Sequence, residues 1–250
     1  MRREGTTMTA TTEATDLDRY RRFAGVCALL SCPFAWADLT LGMAAIGFRF
    51  DVIDKPLLRL ELSDPRLRQL GWVCDVLGFY LLLVPAALAL RAWLRPRRPL
   101  MVDLITLCGL GYAFVGATGA AFLAGAEFWM VRTHQTADPA TRQVLGVLFN
   151  ALQEGVNGIW QFASMLLGAL FLLGMGLLLR RERALGGWLG VAAGFSALLV
   201  PLGGILDVPA LGALPLGFGL VLFFLLEPLW ALWLGVSLFR GKIPPPSPEA

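Results

Sequence analysis

The sequence predicts an all-α membrane protein, a bundle of six transmembrane helices. Three observations predict it. Of 250 residues, 57% are hydrophobic and only 16% are charged, where soluble domains carry about 25% charge. The mean hydropathy is +0.67. The charges are also segregated, with long uncharged runs separated by short arginine-bearing segments. That alternation is the mark of a chain that crosses a bilayer several times.

A helix needs about 20 residues to cross the hydrocarbon core, and six apolar runs are long enough. Residues 1–18 are Thr-rich and charged with no apolar core of a leader, so they predict a disordered tail rather than a signal peptide. The transmembrane domain is expected over 19–240. Span one covers about 23–48, span two 71–90 and span three 100–126. Span four lies within 144–179. Arg180 and Arg181 pin one end of it, and counting back 20 to 25 residues puts the other end near 155–160. Its membrane part is therefore about 155–179. The preceding EFWMVRTHQTADPATRQ reads as an interfacial loop or short surface helix. Spans five and six cover 187–206 and 214–239. The Pro-rich residues 241–250 predict a second disordered tail.

Arginine and lysine counts set the expected orientation. The N-terminal segment, the 91–99 and 180–186 loops and the C-terminus share fourteen of them, against seven on the opposite side. The positive-inside rule then puts both termini in the cytoplasm. Lysine occurs only at Lys55 and Lys242, and this preference for arginine points to a GC-rich bacterial genome. The expected location is a bacterial cytoplasmic membrane.

One stretch departs from the apolar background. In NALQEGVNGIWQ, the residues Asn150, Gln153, Glu154, Asn157 and Gln161 fall at i, i+3, i+4, i+7 and i+11. That spacing gathers them into a polar stripe on one helix face. Acidic residues inside or beside the spans are the other pointers, because a charge at mid-bilayer costs about 3 kcal/mol on the more modest scales. Asp38 lies in span one, Asp75 near the outer end of span two, and Glu227 near the middle of span six. Glu127 and Asp207 close spans three and five on the outer side, and Asp103 sits near the inner interface. Pro228 follows Glu227 and removes a backbone donor.

Two readings of these residues stay open. Asp38, Asp75, Glu154 and Glu227, with the stripe amides Asn150, Gln153, Asn157 and Gln161, would line an outward-facing acidic cavity. It would suit a cation, a proton or a small polar solute. Alternatively the amides bond across a helix interface, and the peripheral acids sit at headgroup level or pair with Arg49, Arg132 or Arg142. Pro33, Pro85 and Pro201 read as packing kinks. Gly186, Gly190 and Gly194 form a small-residue ladder that permits close helix contact, or a homo-oligomer if it faces outward.

Several functions find no support in the sequence. His134 is the only histidine and has no ligands at metal spacing. Cys27, Cys32, Cys74 and Cys108 form no C-x-x-C pair and read as small buried apolar residues. There is no G-x-S-x-G elbow, Walker A loop, Rossmann fingerprint or H-E-x-x-H. No cofactor, metal or nucleic-acid partner is expected.

The strings FAGVCALL, Asp75 followed by LGFYLLL, LLRRERALGGWLGVAAG and LWALWLGVSLFR carry a resemblance. Over most of 20–240 the chain resembles a family of six-span bacterial inner-membrane proteins catalogued only as a domain of unknown function. The resemblance implies the six-span fold and no established activity. The expectation is a non-enzymatic transporter or binding protein for a cation or small polar solute. A membrane scaffold or accessory subunit is the alternative, and a lipid-acting enzyme a more distant one. A cavity reaching Glu227 would favour the first, a closed core with paired acids the second.

Overall fold

Prolines punctuate the chain where helices begin. Pro56, Pro65, Pro99 and Pro139 all stand in the first turn of a helix, where the missing amide costs nothing and the fixed φ suits the turn. The computed structural model describes residues 4–52, 55–206 and 213–242. It contains α1 (Glu4–Ala45), α2 (Pro56–Leu62), α3 (Pro65–Leu94), α4 (Pro99–Thr136), α5 (Pro139–Arg181), α6 (Gly186–Leu206) and α7 (Ala213–Phe239). No strand occurs among the described residues. Every helix except α2 is long and apolar enough to cross a membrane.

The six long helices pack in a ring. α1 touches α3 and α7, and the ring closes through α6, α5 and α4 back to α3. Phe79, Tyr80, Tyr112 and Phe223 meet ring against ring at its centre. Trp230 is buried and lies edge-on to Phe171.

Glycines set how closely these helices approach. A Cβ on Gly78 would lie 2.3 Å from the backbone nitrogen of Ala35, so α3 crosses α1 in backbone contact there. Gly25 of α1 meets the α7 backbone in the same manner, and Gly187 and Gly194 of α6 meet α5. The ladder at Gly186, Gly190 and Gly194 is buried within the chain, Gly186 against Trp233 and the other two against α5. It therefore offers no outward face for a second copy.

The helix ends differ from expectation at four places. α1 begins at Glu4, inside the segment expected to be a disordered tail. α4 continues to Thr136 and α5 starts at Pro139. The stretch expected as an interfacial loop is thus helical on both sides of a two-residue break. Asp138 caps α5 by accepting from the amides of Ala140 and Thr141 and from the Thr141 hydroxyl. These bonds, the Thr141 hydroxyl first, hold its carboxyl below the usual carboxylate range. Finally, the 49–70 loop, which carries no recognisable motif, contains α2. The second tail, residues 241–250, is described only at Gly241 and Lys242.

α4 and α5 have 38 and 43 residues. At 1.5 Å per residue they run roughly 57 and 65 Å, well beyond a hydrocarbon core of about 30 Å. Their excess length lies together at one end of the bundle, and α2 packs on it. Leu60 of α2 joins Met130, Val131, Leu145 and Phe149 in a small second core. At the opposite end Asp103 pairs with Arg91 and Arg95 across the α3–α4 turn.

Replacing Gly78 with Ala should destabilise the protein by about 1–3 kcal/mol, because α1 has to move. Gly125 faces open space, and Gly125→Ala should be neutral or stabilising by up to about 1 kcal/mol. Unfolding titrations in mixed micelles measure both. Equal effects would refute the close α1–α3 crossing.

Candidate functional site

Three side chains one or two turns apart on α3 begin the site. Arg68, Trp72 and Asp75 fall at i, i+4 and i+7, which aligns them on one face. Opposite them stands Glu127 of α4, fully buried. Arg68 Nε donates to Glu127 Oε1 at 2.9 Å, and Trp72 Nε1 donates to Oε2 at 2.6 Å. Arg59 of α2 brings a second guanidinium to 3.6 Å from Oε1, near enough for Coulomb attraction and too far for a hydrogen bond. Glu127 thereby ties α2, α3 and α4 together. Sequence reasoning offered it Arg49, Arg132 or Arg142. Arg49 instead pairs with Asp51, and Arg142 donates to the Ala137 carbonyl.

On the other side α1 crosses α3 at a pair of glycines. A Cβ on Gly71 would come within 3.6 Å of the Gly42 nitrogen and 3.4 Å of Asp38 Oδ1, and one on Gly42 would lie 3.1 Å from Arg68 Nη1. Side chains on α1 and α3 therefore mingle, and Asp38 is held beside Asp75 and Arg68.

Between these walls lies a cavity of about 350 Å³. Asp38, Asp75, Arg59 and Arg68 supply its charges, and Asn157, Gln161 and Tyr80 its neutral polar groups. Trp72 and Trp160 pack at 5.4 Å and form an aromatic wall. Leu39, Gly42, Met43, Ile46, Met165, Leu220 and Phe224 complete the lining. Asp75 is 5% exposed, and its Oδ2 has no partner in the protein. A buried carboxylate oxygen left without a donor costs free energy.

Two π-helical turns occur among the described residues, and both abut this cavity. Val76–Tyr80 follows Asp75 directly, and Ile159–Ser164 carries Trp160 and Gln161. Such turns insert an extra residue and re-aim the side chains around them, often at functional sites. In α3 a 3₁₀ turn at Leu81–Leu83 follows, where Pro85 cannot donate to the Leu81 carbonyl.

The expected site is thus partly assembled and partly corrected. Asp38, Asp75, Asn157 and Gln161 line the cavity. Asn150 and Glu154 are exposed, away from it, and Gln153 is buried with its Nε2 unpartnered. The reason is rotational. Glu154 is about 100° round the helix from Gln153, so the stripe straddles the edge of the buried face instead of lying within it. Glu227 is fully buried, without a partner for either oxygen, and does not line the cavity. The cavity is also not purely acidic, because two arginines enter it. Asp207 lies outside the described residues. No group of three or more potential metal ligands forms among the described residues. Arg59, Arg68, Trp72, Tyr80 and Trp160 were missed. The i, i+4, i+7 spacing of Arg68, Trp72 and Asp75 was the available signal.

These features define a multi-pass membrane protein with a mixed-charge cavity let into one end of a six-helix ring. The chain belongs to the family described as Domain of unknown function (DUF4386), whose model matches residues 40–241. That match spans α2 to α7 and the last turns of α1. No curated protein and no solved structure matches the chain.

Replacing Glu127 with Ala would leave two guanidiniums buried side by side without a counter-charge. The expected loss is about 3–5 kcal/mol of stability. A double-mutant cycle with Arg68→Met should show strong coupling, the second change recovering part of the loss. Additive losses would mean that the ion pair does not organise this end of the bundle.

Proposed function

We propose that this protein binds a small cation or polar solute in the α1–α3–α5 cavity and carries it across the membrane. The carrying observation is Asp75, a buried carboxylate that opens onto the cavity with one oxygen unpartnered. Glu127 finds donors for both oxygens, and Glu227, which has none, does not line the cavity. The π turns on both sides and the mixture of carboxylates, amides and indoles fit a ligand site that is mostly apolar with a few placed polar groups.

The reading includes an orientation. Both termini face the cytoplasm of a bacterial cell, so the α2 end and the cavity face outward from the cytoplasmic membrane. We assign the protein no enzymatic role. Glu227 is a background residue in this reading, because it does not line the cavity.

The test is a thermal-shift screen of the detergent-purified protein against cations, amines, amino acids and sugars, followed by uptake into proteoliposomes. A ligand of the folded state raises the melting temperature with concentration. That shift should vanish in Asp75→Asn and persist in Glu154→Gln and Glu227→Gln. Shifts that survive Asp75→Asn, or none with any solute, would sink the proposal.

A further inference from the structure

The cavity contains a second charged group with a buried atom that lacks a hydrogen bond, of opposite sign. Arg59 Nη2 is buried, has no hydrogen-bond partner and sits 3.6 Å from the carboxylate of Glu127. That carboxylate already accepts from Arg68 and Trp72. The arginine end of the cavity therefore has two guanidiniums against one carboxylate. Burial, and then repulsion from Arg68, push the Arg59 pKa down against the opposing pull of Glu127. The guanidinium lies over the Phe149 ring, 5.6 Å from its centre, so its place is set by packing on α5.

The opposite end has the reverse imbalance. Asp38 and Asp75 line it together, with Arg68 beside them. Arg68 is committed to Glu127 through its Nε. Asp75 Oδ2 accepts nothing from the protein. Arg68 and Asp75 are separated by seven residues of one helix, a rise of about 10 Å. The long arginine side chain shortens that gap between charged groups.

We propose that the cavity takes a zwitterion, with its ammonium at Asp75 and Asp38 and its acidic group at Arg59. This rests on the binding role proposed above and names its substrate class. A simple cation would leave Arg59 Nη2 without a hydrogen-bond acceptor, and a simple anion would leave Asp75 Oδ2 without a donor. Both losses are costly for buried polar atoms. The body of the ligand lies along Trp72, Trp160 and Phe224, which favours an apolar or aromatic group between or beside the charges. Such a zwitterion has two sources, a free amino acid or the ethanolamine phosphate headgroup of a lipid.

Binding is measured by calorimetry on the detergent-purified full chain, with probes that share one body. Phenethylamine, hydrocinnamate and phenylalanine present the ammonium alone, the carboxylate alone and both. Lyso-phosphatidylethanolamine and lyso-phosphatidylglycerol present the headgroup zwitterion and an anionic control. Phenylalanine, the ethanolamine lipid or both should bind at least about tenfold tighter than their singly charged partners. The tighter of the two identifies the source. Arg59→Gln and Asp75→Asn should each erase that preference, Arg59→Gln by weakening the zwitterion toward the level of the amine. Melting temperatures of both variants check that they fold. Should Arg59→Gln unfold, Arg59→Lys, which keeps the charge without the planar fork, replaces it and should weaken the zwitterion while leaving phenethylamine unchanged. Phenethylamine binding as tightly as phenylalanine, lost in Asp75→Asn and unchanged in Arg59→Gln, would overturn the zwitterion and leave the binding role standing. No binding by any probe would overturn the zwitterion, and the broader solute screen then decides the binding role separately.

Discussion

Glu127 holds the distinctive end of this protein in place. Its two oxygens accept from Arg68 and Trp72, and a second guanidinium from Arg59 approaches one of them. A carboxylate buried at that depth is expensive alone and tolerable with charge-assisted partners. The partners come from α2 and α3, so one side chain on α4 fixes the position of two other helices. α2 has only seven residues, too few to be stable by itself. It is kept in place by this ion pair and by Leu60 in the small core beneath it. The arginine wall of the cavity follows from that placement.

The remaining walls come from departures from regular helix packing. Where glycines let backbones touch, as at Gly78 against Ala35 and Gly187 against α5, the ring is tight. Near the α2 end the helices are interrupted instead. A π turn after Asp75 and another at Ile159–Ser164 break the regular advance of side chains. Large residues that would otherwise fill the space between α3 and α5, such as Trp72 and Trp160, stand along its edge. Unpaired backbone groups are tolerated at membrane depth where they border a cavity or protein. A bundle with these irregularities can stay closed at its centre, around Phe79, Tyr112 and Phe223, and open at one end.

The site was only partly legible in the sequence. Acids within apolar runs were conspicuous, and Asp38 and Asp75 do meet. Glu227 was equally conspicuous but points into the core, since a single helix with apolar residues on every side gives no indication of which face meets its neighbours. The 150–161 stripe had the same ambiguity. Its internal spacing was clear, whereas the face turned inward depends on contacts with α2 and α4, so Gln153 and Asn157 fall inside and Glu154 outside. Arg59 and Arg68 lie in the 49–70 segment between spans, where no local feature marked them as site residues. Nothing local distinguishes a surface arginine from one that pairs with a carboxylate 59 residues away.

By itself the sequence determined the class and the count: six apolar runs long enough to span, all helical, with breaks near proline. These properties depend on local composition and on the bilayer's thickness, and each can be read within a window of about 20 residues. The tertiary structure decided everything that depends on rotation and distance. It decided which residues line the cavity and that the ladder at Gly186 is used internally. It also decided that the long loop contributes a helix and two arginines to an otherwise acidic site. Those outcomes rest on long-range contacts, because the facing direction of a helix is set by the partners against which it packs.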